Sequence, residues 1–234
     1  FTYSLLLIIA TPFISTAQKY SDDIRRSLTA FNQPKLQLTA KVDVFANYSA
    51  LKPSETYNAT MKKNGEHFYS RTDDMQMLLN GKYLVMVYKT EKRIVYTKHD
   101  KNAEKKMKSS TDPGATIDSL LLKNDSIVYK GINEQMKMYV IYSGKSLIRR
   151  TEIYLDTKTF FIKRLVYYYN EQIVPNANKV RIDYTIDLNP VFSSDEFSES
   201  RFLVINRGKA IAAGSCAGYD VIYVDGENNN PEEQ

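Results

Sequence analysis

Tryptophan is absent from the sequence, cysteine occurs once, and the chain of 234 residues contains only 9 glycines and 7 prolines. So little glycine and proline excludes collagen-like and low-complexity chains. One cysteine excludes an internal disulfide framework, so Cys216 is expected to be either a small buried residue or a free thiol. With 43% hydrophobic residues, the chain is long enough for one domain with a substantial core, or for two small ones.

The sequence also lacks the motifs that would indicate chemistry. It contains no G-x-S-x-G motif, no P-loop and no H-E-x-x-H motif. Its two histidines, His67 and His99, have no second ligand-type residue at metal-binding spacing. Paired carboxylates occur in "SDD", "TDD" and "SSDE", where helix capping and turn formation account for them. We therefore expect neither an enzyme nor a protein that needs a cofactor or a metal.

Charge does not single out a polyanionic partner. The net charge is +5, but 32 basic and 27 acidic residues alternate along the predicted strands, as is typical of solvated faces. No recognition motif accompanies the basic excess, so nucleic acid is not expected as a partner.

The first 18 residues, "FTYSLLLIIATPFISTAQ", have the pattern of a secretory signal peptide. The apolar run from Leu5 to Ile9 is too short to span a bilayer. Ser15 and Ala17 stand where signal peptidase prefers small residues, which predicts a signal peptide over 1–17, cleaved before Gln18. No cysteine follows the run, so we expect no lipobox and a soluble, exported protein. The alternative is a buried N-terminal strand or helix.

What the sequence does contain is a short helix followed by many strands. In "YSDDIRRSLTAFNQP", the spacing of Ile24, Leu28 and Phe31 predicts a helix capped by Ser21 and ended by Pro34. "KLQLTAKVDVFANY" and "KVRIDYTIDL" alternate between apolar and polar residues, as strands with one buried face do. Asn64-Gly65 and Asn80-Gly81 predict hairpin turns.

These patterns predict a mainly β protein, with a single antiparallel sheet of about ten strands. "TIDSLLLKN" predicts a short mid-chain helix, and "RFLVIN" and "YDVIYVDG" predict one or two terminal strands. Two short helices cannot cover such a sheet, so it must curve strongly and enclose an interior.

The alternation predicts which side chains line that interior. For each of these residues, the alternative is a place in a dry, well-packed core. In segments such as "YLVMVY", odd and even positions are both apolar, so alternation does not tell which side chains point inward. Methionines among them would suit an irregular apolar ligand. The predicted lining residues are Leu38, Val42, Val44, Met61, Met75, Met77, Val85, Val87, Met138, Val140, Leu155, Leu165, Ile182 and Ile186.

The order of these elements resembles the LolA/LolB-like lipoprotein-carrier superfamily, in a periplasmic member of Bacteroidota type. The resemblance covers roughly residues 20–200 and depends on the following stretches: "SDDIRRSLTAF", "LQLTAKVDVF", "TMKKNGEHFYSR", "DMQMLLNGKYLVMVYKTEKRIVYTK", "EIYLDTKTFFIKRLVYYYNEQ" and "IDYTIDLNPVFSSDEFS".

The resemblance implies an unclosed half-barrel over 18–200 whose apolar cavity holds acyl chains under a lid. The lid would be the N-terminal helix and the mid-chain helix, with Leu28, Phe31, Leu120 and Leu121 facing the cavity. Residues 201–234 would be an extension with a flexible tail. The implied protein is a monomeric carrier of acylated lipoproteins or lipids between an inner-membrane donor and an outer-membrane acceptor. The alternative is an envelope protein-interaction or sensor module that uses the same half-barrel without lipid transport.

Overall fold

The computed structural model describes residues 16–99, 126–143, 147–170, 179–206 and 209–224. Across these ranges, no helix combines the length and apolar character needed to cross a membrane. The predicted apolar run from Leu5 to Ile9 and the predicted mid-chain helix, with Leu120 and Leu121, lie outside the described residues.

The one α-helix of the described residues, α1, spans Thr16–Phe31 and is followed by Pro34, as the sequence predicts. Tyr20 and Ile24 are fully buried, and Leu28, four residues further on, is partly buried against the same apolar cluster. This four-residue spacing places them on one side of the helix. The prediction that Ser21 caps the helix is wrong, because Ser21 lies inside it.

Within the described ranges, twelve strands form one open, curved sheet, and two more form a separate hairpin. In the large sheet the order is β14-β6-β5-β4-β3-β2-β1-β11-β10-β9-β8-β7, so that β14 and β7 are its edges. The strands are β1 (Lys35–Phe45), β2 (Glu55–Asn64), β3 (His67–Arg71), β4 (Met75–Leu79), β5 (Tyr83–Tyr88), β6 (Arg93–Lys98), β7 (Ser126–Asn133), β8 (Met136–Tyr142), β9 (Ile148–Asp156), β10 (Ile162–Tyr169), β11 (Lys179–Asp187), β12 (Leu203–Asn206), β13 (Lys209–Ala212) and β14 (Asp220–Tyr223).

The large sheet therefore has more strands than the ten or so predicted, and it is not wholly antiparallel. Its last strand, β14, pairs in parallel with β6, from Asp220 opposite Arg93 to Tyr223 opposite Tyr96. Antiparallel strands that follow one another in the sequence can be joined by short hairpins, whereas a parallel pair such as β6 and β14 needs a longer connection that crosses the sheet.

The sheet carries an apolar cluster on each of its two faces. The α1 face, defined by Leu36, Leu38 and Ala40 of β1, packs against α1 together with residues of β8, β9 and β10. The opposite face carries a second cluster on β3 to β6 that includes Tyr69, Leu78 and Val85. Because directly opposed residues of paired strands point to the same side, the strand registers assign every ladder residue to one of these faces.

Residues 192–206 and 209–219, here called the C-terminal cover, pack on the opposite face. Phe197, Phe202, Leu203 and Cys216 of the cover are buried in its cluster, so the thiol of Cys216 is enclosed. The cover is tightly folded at Gly214, where φ is +57° and a Cβ atom would lie 2.7 Å from the carbonyl oxygen of Arg201. Division of the chain at residue 200 stays a prediction, and the cover runs across that position.

Candidate ligand-binding face

The strand registers place most of the predicted lining residues together on the α1 face. Leu38 pairs with Met61 of β2 and with Ile186 of β11, and Val42 pairs with Ile182. Ile182 in turn pairs with Leu165 of β10. The predicted residues on the α1 face are Leu38, Val42, Val44, Met61, Met75, Met77, Leu155, Leu165, Ile182 and Ile186.

Val85, Val87, Met138 and Val140 were predicted to line the same interior, but they lie on the opposite face. Val85 pairs with Leu78, within the cluster under the C-terminal cover. The segments "YLVMVY" and "MKMYVIY" are apolar at both parities, because each strand is covered on both sides, so alternation cannot assign their faces. Counting paired residues strand by strand, outward from the hairpin turn after Asn64, would have shown which face of the sheet each β5 side chain points to.

The same counting finds a site residue that the sequence interpretation missed, Met86. Met61 pairs with Ser70, Ser70 with Met77, Met77 with Met86, and Met86 with Val95. With Leu38 at one end, these residues form a cross-strand row over β1 to β6, here called the methionine row. Met77 is buried, whereas Met61 and Met86 are half-buried. Methionine side chains are flexible and polarisable, so the row can adapt to an irregular apolar surface.

Two tyrosines add polar atoms to the α1 face without adding charge. Burial raises the pKa of Tyr167 to about 12 and also raises the pKa of Tyr184. Both phenols therefore stay protonated at physiological pH. They therefore place neutral hydroxyl groups, and no charges, on the α1 face.

A buried polar cluster fastens α1 to the sheet. The carboxylate of Asp23, on α1, accepts hydrogen bonds from Lys137 Nζ at 2.8 Å and from the Tyr139 hydroxyl at 2.7 Å. Burial, then the hydrogen bond to Asp23, raises the pKa of Tyr139, so its hydroxyl stays a donor. Lys137 Nζ also lies 4.4 Å from the ring centroid of Phe160. Removing α1 from the sheet would break this cluster.

Other polar atoms of α1 are buried without a partner. The hydroxyls of Tyr20 and Ser27 are shielded from solvent and make no hydrogen bond within the described part of the chain. Each such group costs about 1–3 kcal/mol, because its hydrogen bonds to water are not replaced. Docking of α1 is therefore opposed by these hydroxyls and favoured by the Asp23 cluster and apolar packing. Because these buried hydroxyls oppose its docking, α1 is suited to detach from the sheet.

The predicted lid residues are placed only in part. Leu28 packs against the apolar cluster of the α1 face. Phe31 is the last residue of α1, and its side chain is not among those described. Leu120 and Leu121 lie outside the described residues, so their lid role stays a prediction.

Two cavities lined by described residues open on the opposite face. One, of about 640 Å³, lies between the β2–β3 and β4–β5 turns and the start of the C-terminal cover, with Lys35, His67 and Phe192 in its lining. The other, of about 280 Å³, has Phe45 and Arg181 in its lining. Within the described ranges, no group of three or more His, Cys, Asp or Glu side chains could hold a metal ion.

No family model and no curated protein matches this sequence. Solved structures with a similar arrangement include an uncharacterized conserved protein from Thermus thermophilus, at 8% identity and a TM-score of 0.46, over 88% of this chain and 100% of that chain. A LolA superfamily protein from Nitrosomonas europaea is similar at 9% identity and a TM-score of 0.33, over 76% of this chain and 97% of that chain.

Lipoprotein LppX from Mycobacterium tuberculosis is similar at 9% identity and a TM-score of 0.37, over 70% of this chain and 92% of that chain. At these identities and TM-scores the similarities assign no activity to this chain.

Proposed function

We propose that this protein is a non-catalytic carrier that binds the acyl chains of lipids or lipoproteins on the α1 face. The observation that carries the proposal is the methionine row, where Leu38, Met61, Met77, Met86 and Val95 follow one another across β1 to β6, with Ser70 of β3 between Met61 and Met77. An acyl chain laid along such a row would gain about 0.8 kcal/mol for each methylene group that it buries.

Carriage also requires that the bound chain can be released, and α1 provides a competitor. The helix packs its Ile24 and Leu28 on the same face that holds the row. A helix and an acyl chain that compete for neighbouring apolar surface reduce the net affinity of each. The hydroxyls of Tyr20 and Ser27, which have no hydrogen-bond partner among the described residues, further lower the cost of displacing the helix.

The proposal extends to location and partners. A carrier of this kind would act in the periplasm as a monomer, taking acylated cargo from an inner-membrane donor and passing it to an outer-membrane acceptor. This part rests on the signal-like N-terminal segment and on the resemblance of the element order to the lipoprotein carriers.

The test is a titration of the protein with a fluorescent fatty acid, comparing variants on the two faces. Met61→Gln combined with Met86→Gln places two amides on the α1 face, and we expect affinity to fall at least about tenfold. Met138→Gln is the matched control, because Met138 is also half-buried but lies on the opposite face. We expect its affinity to equal that of the wild type.

Equal losses in the two variants, or no loss in either, would contradict a binding site on the α1 face. A wild-type protein that takes up no fatty acid and no acylated peptide would contradict carriage altogether. The alternative of an interaction or sensor module would then be the better account.

A further inference from the structure

The last described strand, β14, enlarges the α1 face beyond the six strands of the methionine row. It pairs in parallel with β6, and Ile222 stands opposite Val95, the last residue of the row. The C-terminal cover makes this possible, because it carries the chain across the opposite face and delivers it to the free edge of β6.

Alternation along β14 assigns its side chains to the two faces. Val221 packs into the opposite-face cluster, and the ring of Tyr223 lies 5.2 Å from that of Tyr96, which belongs to the same cluster. Ile222 pairs with Val95, and Val95 pairs with Met86 of the row, so Ile222 points to the α1 face. Val224 follows, and its backbone N–H donates to the carbonyl oxygen of Tyr96 at 3.0 Å.

Exposure differs strongly between the two ends of the extended row. At the end nearer α1, Leu38 is only 6% exposed, whereas Ile222 is 41% exposed and Val224 is 39% exposed. Exposed edge strands usually carry charged residues, which discourage pairing with other chains. On the α1 face, β14 presents the exposed charged side chain of Asp220, opposite Arg93, and beside it the branched apolar side chain of Ile222, which continues the row from Met86 and Val95.

We propose that Ile222 determines the length of acyl chain that this protein prefers, by providing the far end of the binding row for long saturated chains. The inference rests on the proposed function and refines it. Neighbouring strands are about 4.8 Å apart, so β14 lengthens the row by about that distance. The packed cluster under the helix lies at the β1 end of the row, so we expect a ligand that starts next to this cluster to extend toward β14.

Calorimetric titration of the full chain with laurate and with stearate tests this inference. In the variant Ile222→Asn, we expect the affinity for stearate to fall about tenfold and the affinity for laurate to stay within about twofold of the wild type. Val204→Asn is the matched control, because Val204 is 50% exposed and lies on the β12–β13 hairpin, away from the row. It should leave both affinities unchanged.

An equal change for the two fatty acids in Ile222→Asn, or no change for either, would overturn the role of Ile222 while leaving the carrier proposal intact. A wild-type protein that binds neither fatty acid would instead overturn the proposed function. A thermal melt of each variant distinguishes loss of binding from loss of folding, and Ile222→Ala, which adds no polar group, should give a smaller effect in the same direction.

Discussion

At the scale of single residues, two tyrosines on either side of the α1 interface are in contact but differ in hydrogen bonding. The rings of Tyr20 and Tyr139 meet edge to face, with centroids 5.1 Å apart. The hydroxyl of Tyr139 donates to Asp23, whereas the hydroxyl of Tyr20 is buried without a partner among the described residues. The hydroxyl of Tyr139 should therefore stabilise the folded chain, whereas the hydroxyl of Tyr20 should destabilise it.

We predict that Tyr139→Phe lowers the free energy of unfolding by about 1–2 kcal/mol, because the buried carboxylate of Asp23 loses a donor. Tyr20→Phe should leave it unchanged or raise it by up to about 1 kcal/mol, because it removes a hydroxyl that lacks a partner. Urea denaturation of the two variants measures both values. A substantial loss in Tyr20→Phe would show that its hydroxyl is satisfied in solution.

Asp43 is a buried carboxylate on the opposite face and makes the fold sensitive to acid. Burial alone would raise its pKa, but hydrogen bonds from Thr56, Arg181 and Lys41 outweigh burial and lower the pKa. The Thr56 hydroxyl, for example, donates to Asp43 Oδ1 at 2.7 Å. The ionised carboxylate is therefore favoured in the folded chain relative to the unfolded one.

Because the pKa of Asp43 is lower in the folded chain, its stabilising effect is fully present above the unfolded value of about 3.9 and is lost as pH falls through the folded value. We predict that the free energy of unfolding decreases below about pH 4, and that Asp43→Asn is less stable at neutral pH but loses less on acidification. Denaturation curves at several pH values test this. Parallel pH profiles for the two proteins would contradict it.

At the scale of elements, the attachment of α1 depends on one ion pair as well as on apolar packing. The side chains of Asp23 and Lys137 are 6% and 15% exposed, and they meet at 2.8 Å. Removing one partner of a largely buried pair leaves an uncompensated charge, which typically costs about 3 kcal/mol or more.

We predict that Lys137→Met destabilises the protein by about 3 kcal/mol and increases hydrogen exchange in α1 more than in β1. The double variant Asp23→Leu with Lys137→Met should recover much of the loss, because no unpaired charge remains. Uniform exchange throughout the sheet in Lys137→Met would indicate global unfolding rather than release of the helix.

The C-terminal cover should contribute to stability as a core element, and neighbouring residues allow a matched comparison. Leu203 is fully buried, whereas the next residue, Val204, is 50% exposed. We predict a loss of about 2–5 kcal/mol for Leu203→Ala and less than about 0.5 kcal/mol for Val204→Ala. Chemical denaturation measures both. A negligible cost for Leu203→Ala would show that the cover is not part of the cooperative fold.

Strands with one polar face were the elements that the sequence could predict best. In β1, the alternation of Leu36, Leu38 and Ala40 with polar residues is also the burial pattern of the structure. Alternation alone could not predict which side chains of β5 and β8 point to which face, because both faces of these strands carry apolar residues. The parallel position of β14 depends on a crossing by the cover, a long-range feature that local sequence patterns do not encode.

At the scale of the whole molecule, one sheet serves two different layers. The α1 face holds the helix and the methionine row, and the opposite face holds the C-terminal cover over β3 to β6. The C-terminal cover packs against the opposite face of the strands that carry Met77 and Met86, and this packing holds those strands in place. We expect α1, which packs on the other face, to detach without disrupting the sheet.

The central claim is that an acyl chain occupies the α1 face, and native mass spectrometry tests it most directly. The protein would be purified without detergent from a Gram-negative host, then delipidated and mixed with an acylated peptide. We predict extra mass that disappears on delipidation, returns with the acylated peptide, and does not return in the Met61→Gln and Met86→Gln double variant. A wild-type protein that stays at its bare sequence mass throughout would contradict the account.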